Sequence, residues 1–468
     1  MAPSCSNAIA VQCIPGFTGQ ILTPSSALYQ PANQRFSATA VLQPAFIARP
    51  ATDSDISRIL QFALGQDPKL ELAVKGGGVN PYPAASSDGG LVIDLSLMNT
   101  VSVSGDKQTV TVGGGAKWGD VYAEADKQGV AVVGGSVHLV GVGGSALAGG
   151  YSPLSGQYGM AVDNMLSATV VLADGRVVKT DATNEPDLFW AIRGGVNQFG
   201  VVTQMVFATH PSPGPITMGS LVYPSSDLPE VLQALHDHLA HQDPSSKMIL
   251  MFARSPDPSI LILPYIENQK TDPDTVLAPF RTLATPVFEG VGTVNNFSTV
   301  AHGADSSLGG PPRVTIDGAL FSDVWDDTVT SVYQSWEQFS NDSRFQSTIV
   351  MWEFSHPAKI ASKPVDSTAF AARSPHFYMT ATARNTDPAD DAQVAEWTSQ
   401  VAKSVRQAQV QKTGNALPIP ASLAQSPQTE TVEDVFGSNL PKLRTVKAKY
   451  DPGKVWSKGW VIEPDFSS

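Results

Sequence analysis

AVKGGGVNPYPAASSDGGLVIDL, residues Ala73–Leu95, is the stretch on which the reading of this chain turns. It begins as a strand and runs into three consecutive glycines, Gly76–Gly78. It then crosses a polar loop holding Pro81 and Pro83 and ends in a second apolar strand closed by Asp94. Glycine has no Cβ, so consecutive glycines let backbone N–H groups converge on an anion and let a ligand approach the main chain. One such loop is an ordinary tight connection. Three more follow: Gly141–Gly150 (GVGGSALAGG), Gly156–Asn164 (GQYGMAVDN) and Arg193–Gly200 (RGGVNQFG). Four in one region of alternating strands and helices point to a large anionic cofactor.

Outward from these loops, residues 45–205 pattern as many short strands with a few helices. DISRILQFAL reads as an amphipathic helix capped by Asp53 or Ser54, and WGDVYAEADKQ as a second helix. Gly141-x-Gly143-x-x-Ala146 matches a dinucleotide fingerprint in form. Gly149, Gly150, Pro153, Gly156 and Gly159 interrupt the long helix that motif needs, so a doubly wound sheet is not expected there. Beyond Pro211 the strands lengthen and alternate: KMILMFARS, ILILPYIE, RVTIDGALF, STIVMWEFS and HFYMTATA. Helical segments such as LPEVLQALHDHLA separate them, so this part reads as an antiparallel sheet with helices on one face.

Composition narrows the function. The 468 residues are 42% hydrophobic and 16% charged, enough for two cores, and the net charge of −13 argues against a nucleic-acid partner. No apolar run is long enough to span a membrane. The N-terminus lacks a basic region and a long apolar stretch, so a cytoplasmic protein is expected. Two cysteines, Cys5 and Cys13, define neither a disulfide framework nor a thiolate metal site. No metal is expected: there is no HExxH, and His236, His238 and His241 read as part of a solvated helix. GxSxG is absent too, which leaves a serine hydrolase without support.

Taken in order, VKGGGVNPY, LVIDLSLMN, VTVGGGAKWGDVY, VGVGGSALAGGYSPLSGQYGMAVDN, VVLADGRVV, DLFWAIRGGVNQFGVVT and KYDPGKVW resemble the vanillyl-alcohol-oxidase superfamily of FAD enzymes, with its PCMH-type FAD-binding domain. The likeness is nearest to the berberine-bridge-enzyme-like branch. It covers residues 44–205 and 445–464; over 215–405 it is a likeness of layout only. It implies an α+β fold of two domains: a VAO/PCMH-like FAD-binding domain over 1–210 and an antiparallel-sheet substrate domain over 211–425. A C-terminal segment, 426–468, would return to the first domain.

The resemblance also implies cofactor positions. The pyrophosphate would lie on Gly76, Gly77, Gly78, Val79 and Asn80, between Lys75 and Tyr82. Gly141, Gly144, Ser145, Gly149 and Gly150 would line the ribityl and ring side, with Asp163 and Asn164 bracing that loop. Gly200 and Val202 would meet the adenine side, and Trp460 would close the pocket. Many relatives carry a histidine, bonded covalently to the flavin, where this chain has Val79. Bicovalent relatives carry a cysteine where it has Val137. Neither valine has a nucleophilic atom, and His138, next to Val137, points to the opposite face if the segment is extended. FAD is therefore expected to be noncovalent, with His138 either a hydrogen-bond partner of the ring or a core histidine.

The implied function is an FAD-dependent oxidoreductase, an oxidase or a dehydrogenase, that takes a hydride from a small organic molecule. Secondary metabolism and sugar or alcohol oxidation both suit it. The alternative is a cyclase or pericyclase of secondary metabolism on the same fold, with FAD non-redox or structural. A monomer or weak homodimer is expected, with no nucleic acid and no membrane. Proton transfer needs a positioned base. Glu353, between Trp352 and Phe354, is one candidate; Tyr151, after the second glycine loop, and Tyr378 are the others, with Tyr265 behind them. On the STIVMWEFSH strand, Trp352, Phe354 and His356 share one face and Met351, Glu353 and Ser355 the other, and the pattern leaves open which meets the cofactor. Arg373 reads as a solvent-facing arginine or a carboxylate binder. In the tail, Trp456–Trp460 replaces an asparagine of many relatives, with Lys458 exposed or near the flavin.

Overall fold

The computed structural model describes residues 14–254, 256–305 and 309–467; Cys5 and Cys13 lie outside them. The opening stretch forms two strands, Leu72–Lys75 and Leu91–Asp94, joined by the glycines and one 3-10 turn, Pro83–Ala85. They lie parallel, with Leu72 opposite Leu91 and Lys75 opposite Asp94. Phe46–Arg49 pairs parallel on the other side and Gln20–Leu22 closes the sheet antiparallel. The helix Asp53–Leu64 buries Ile56, Ile59 and Leu60 against Ala48, Leu72, Leu91 and Ile93. Its cap is Thr52, one residue before the expected Asp53 or Ser54. Thr52 Oγ1 accepts from Asp55 N at 3.1 Å while the Asp55 carboxylate accepts from Thr52 N at 3.1 Å. The reciprocal pair satisfies two orphan donors, which a lone Asp53 or Ser54 cap would not do.

A second, six-stranded antiparallel sheet is centred on the long strand Val201–Pro211, flanked by Thr109–Gly113 and Met165–Val171. A short helix, Val142–Leu147, does follow Gly141, but it ends before Gly149. The strand before it, Val130–Val132, runs antiparallel to its neighbour, so no doubly wound sheet forms there.

The third sheet has nine strands, and its centre runs Leu221–Pro224, Pro258–Glu267, Ser246–Arg254, Ile349–Ser355, Phe377–Asn385, Arg313–Phe321, all antiparallel. Helices Leu228–Ala240, Asp326–Ser340 and Asp391–Thr413 contribute Val231, Leu235, Val332, Trp336, Val401 and Val405 to one core with Leu250, Ile262, Ala319, Val350, Trp352, Phe354 and Ala381. The alternation along each strand then sends Ile249, Leu263, Met351, Glu353, Tyr378 and Thr380 to the opposite face, away from those helices. Trp352 and Phe354 therefore pack under the helices, and Glu353 lies on the free face. At one end of that face Tyr378 and Leu320 meet Met160, Val162 and Phe370 in a small apolar cluster with Tyr151 against it.

The C-terminal segment returns to the first two sheets. Helix Leu440–Tyr450 packs Leu443 and Val446 with Leu188 and Ile192. Lys447, fully buried, donates to Gln198 O at 2.6 Å and Trp456 O at 3.0 Å and pairs with Asp451 at 2.7 Å. This bolts the tail onto the fourth glycine loop. No helix among the described residues is long and apolar enough to cross a membrane.

Candidate active site

A cleft of about 320 Å³ runs between the glycine loops, walled by Gly76–Asn80, Gly141, Gly144, Ser145, Asn197, Gln425 and Trp460. Two kinds of glycine build it. Gly77 and Gly141 touch backbone to backbone: a Cβ on Gly77 would sit 2.4 Å from Gly141 N, and one on Gly141 2.2 Å from Gly77 N. Gly78 has φ +68°, a conformation that side chains with Cβ strain to adopt. These glycines let the loops close on each other. Gly144 is different, since a Cβ there meets nothing within 4 Å and would project into the open cleft.

Positive charge stands behind the first loop. Lys75 Nζ donates to Ala32 O at 2.8 Å and to Asp94 Oδ2 at 3.3 Å. Arg35 donates to Gln34 O at 3.0 Å and Ala85 O at 2.6 Å, and its buried Nε–H has no partner. Burial holds both groups below their ordinary pKa, opposed by Asp94. Glycine amides in front and a partly desolvated cation pair behind suit a diphosphate, so the cradle fits the pyrophosphate end of FAD. Nothing in the sequence pattern singled out Arg35.

Lys75 and Tyr82 flank the cleft without forming its wall. Tyr82 N donates to Asn80 Oδ1 at 2.9 Å, and its ring lies 6.3 Å from that of Trp460. Ser145 Oγ accepts from Trp118 Nε1 at 2.7 Å and donates to Gly141 O at 2.8 Å, so its hydroxyl holds the loop in shape. Gly149 and Gly150, at φ +118° and +77°, turn the chain into Tyr151 beneath Phe370 and Ala161. Asp163 accepts from Met160 N and takes a bidentate pair from Arg373 at 2.8 and 2.9 Å. Arg373, read as solvent-facing or a carboxylate binder, is 4% exposed, and the carboxylate it holds is the chain's own Asp163. Asn164 donates to Tyr158 O and Met160 O, and Gly200 and Val202 pack against the Met165–Val171 strand. Asp163, Asn164, Gly200 and Val202 brace the loops and do not line the cleft.

Val79 lines the cleft and Val137 does not. His138 turns away from it: its ring stacks on His302 at 3.9 Å between centroids, and its Nδ1 lies 3.1 Å from Asp305. His138, His302 and Asp305 bring three possible ligand atoms within 4.8 Å of one another. Both Nδ1 atoms lie against the Asp305 carboxylate, at 3.1 and 2.9 Å, so the three form a polar cluster on the surface. Lys458 pairs with Glu71 at 2.6 Å and is not among the residues lining the cleft. His238, read as solvated, is buried 6.2 Å from Phe280. Four cleft residues were missed in loops that were noticed: Leu147 and Ala148, Asn197, and Val196, whose φ of +48° is a strained conformation for a β-branched residue.

The three candidate proton-transfer residues come together. Tyr378 Oη donates to Glu353 Oε2 at 2.5 Å, and the Tyr151 and Tyr378 rings lie 4.5 Å apart. Two further residues complete the group. Lys247 Nζ donates to the same Glu353 oxygen. Tyr151 Oη lies 2.7 Å from His376 Nε2, and His376 Nδ1 lies 2.7 Å from Ser374 O. A carbonyl only accepts, so Nδ1 carries the proton and Nε2 accepts from Tyr151. Burial pushes His376 down to about 4, keeping it neutral, and raises both tyrosines, with Glu353 adding to the rise. Tyr265 lies on the same sheet face, donating to Glu267 at 3.1 Å.

Comparison with known proteins bears on the cofactor domain and the fold. Residues 44–181 match a family model described as FAD binding domain, and residues 418–458 one described as berberine and berberine like. FAD-linked oxidoreductase pgmH of Aspergillus terreus is 28% identical over 459 residues, covering 93% of this chain and 91% of that protein. (R)-6-hydroxynicotine oxidase of Paenarthrobacter nicotinovorans is 36% identical over 223 residues, 47% of this chain and 48% of that protein. Among solved structures, glucooligosaccharide oxidase from Acremonium strictum, described with a 6-S-cysteinyl, 8α-N1-histidyl FAD, superposes with a TM-score of 0.80 at 24% identity, covering 97% of this chain and 99% of that one.

Proposed function

We propose that this chain, which matches an FAD binding domain over residues 44–181 and a berberine-like segment over 418–458, is an FAD-linked oxidoreductase of the berberine-bridge-enzyme-like branch that oxidises a small organic alcohol or phenol with FAD held noncovalently. FAD, when bound, supplies the two-electron acceptor. Val79 stands in the cleft wall where a linking histidine occurs in relatives, and it offers no nucleophile. The cradle of Gly76–Asn80 with Lys75 and Arg35 behind it holds the diphosphate, and Trp460 closes the far side.

The observation that carries the catalytic reading is the buried contact of Tyr378 with Glu353 and Lys247 on the free face of the third sheet. As the substrate C–H bond breaks and its electron pair leaves as hydride, the substrate O–H proton passes to Tyr378 Oη while the Tyr378 proton moves along its hydrogen bond to Glu353. Lys247 donates to the same carboxylate oxygen and so fixes Glu353 in place against Tyr378. Tyr151, whose proton is held by neutral His376, orients the substrate oxygen from the other side.

Two measurements test this. Acid precipitation should leave all flavin in the supernatant; colour retained in the pellet would refute noncovalent binding. In anaerobic stopped flow with an oxidised substrate, Glu353→Gln should slow flavin reduction roughly 10²–10⁴-fold while flavin content stays the same. Reduction at the parent rate would remove Glu353 from the mechanism. Product formed while the flavin spectrum stays unchanged would exclude redox chemistry altogether.

A further inference from the structure

The free face of the third sheet has a composition of its own. In cross-strand register, one row reads Leu263, Ile249, Glu353, Tyr378 and Leu320, and the next Leu261, Met251, Met351, Thr380 and Gly318. At the ends this face is covered, by the Met160–Phe370 cluster beside Tyr378 and by Phe297 beside Tyr265. In the middle it is not: Leu261, Leu263, Ile249 and Met351 are half-buried and join none of the chain's apolar cores. An aliphatic patch left open in the middle of a sheet that is otherwise well packed is a binding surface.

Polar atoms on the patch are few. Lys247, Glu353 and Tyr378 are committed to one another. The exception is Thr380, 7% exposed, whose Oγ1 has no partner. A buried hydroxyl without a partner costs stability unless a ligand supplies one. From Leu261 across to Met351 the patch spans two strand spacings, about 10 Å, and the two rows lie about 7 Å apart along the strands. Methionines at its centre are soft and polarisable and suit aromatic faces. A sugar ring of that size would bring several hydroxyls against aliphatic side chains, each losing water without compensation.

We infer that the substrate is a fused-ring aromatic or similarly lipophilic molecule, laid flat on Leu261, Leu263, Ile249 and Met351, with its oxidised oxygen at Glu353 and Tyr378 and one further polar group at Thr380. This rests on the oxidoreductase reading for the direction of the reactive end. The apolar contact itself does not depend on it.

The test is calorimetric binding to the flavin-loaded protein, with 2-naphthol and xylobiose as probes. 2-Naphthol should bind at least about tenfold more tightly. Met351→Glu should weaken it at least about tenfold, Met351→Leu should change it by less than about threefold, and neither should alter flavin content. If Met351→Glu does not fold, Leu261→Glu on the outer strand carries the same expectation. Tighter binding of xylobiose, or naphthol binding indifferent to these charges, overturns the inference. Naphthol binding that follows these expectations, in a protein whose flavin no lipophilic alcohol reduces, would sink the redox reading and leave the substrate class standing.

Discussion

Gly77 and Gly144 show how one residue type serves two ends. Gly77 lies against the Gly141 backbone, so a side chain there pries the two loops apart whether or not a cofactor is present. Gly144 faces open space, so a side chain there collides only with what enters the cleft. Gly144→Val should therefore lower flavin content while the flavin-free protein melts within a few degrees of the parent. Gly77→Val should lower both. Equal melting losses in the two would show that Gly144 also has a packing role. The glycine count made the loops legible in the sequence, but which glycine faces a ligand depends on the segment packed behind it, and no local pattern carries that.

Among the elements, the short helix Ala161–Asn164 is tied to the distant 368–374 segment by Asp163 and Arg373, both side chains 3% exposed. Removing one partner of a buried pair leaves the other charge without water or counter-ion, which costs about 3–5 kcal/mol, whereas replacing both with neutral groups costs less. Arg373→Met should accordingly lower the urea midpoint more than the double change Asp163→Asn with Arg373→Met. The reverse order would mean that the pair is solvated in solution. Strand identities were readable from alternation, and Lys247 and His376 sit in or beside strands already recognised. Their role was not readable, because it arises from register: Ile249 lies opposite Glu353, which brings Lys247 at i−2 beside it.

For the whole molecule, pH reports the burial of His238. Desolvation pushes it down to about 4 from an ordinary value of 6.5. The unfolded chain therefore takes up a proton that the folded chain refuses. The stability concerned is fully present above about pH 6.5 and is lost as pH falls toward 4. His238→Leu removes the titration at similar volume. Between pH 7.5 and 4.5 the parent should lose on the order of 2 kcal/mol more unfolding free energy than the variant. Parallel pH curves for the two would show that His238 is hydrated. His376, buried and neutral for the same reason, acts in the same direction.

By itself the sequence determined the mixed α and β fold with its antiparallel sheets, the clustering of the glycine loops and the placing of a valine, Val79, after the first of them. Each is written in local terms: alternation of side chains, the absence of Cβ, the identity of one residue. Tertiary structure alone decided which face of the third sheet stays free, that Tyr151, Tyr378 and Glu353 meet, and that Lys247, His376 and Arg35 stand with the site. It also turned His138 away from the cleft and drew Arg373 inside. These are properties of cross-strand register and of contacts between segments more than two hundred residues apart, such as Tyr151 with His376. Charge, hydrogen bonding and burial act through space, so groups distant along the chain acquire their chemistry only once the sheets have packed.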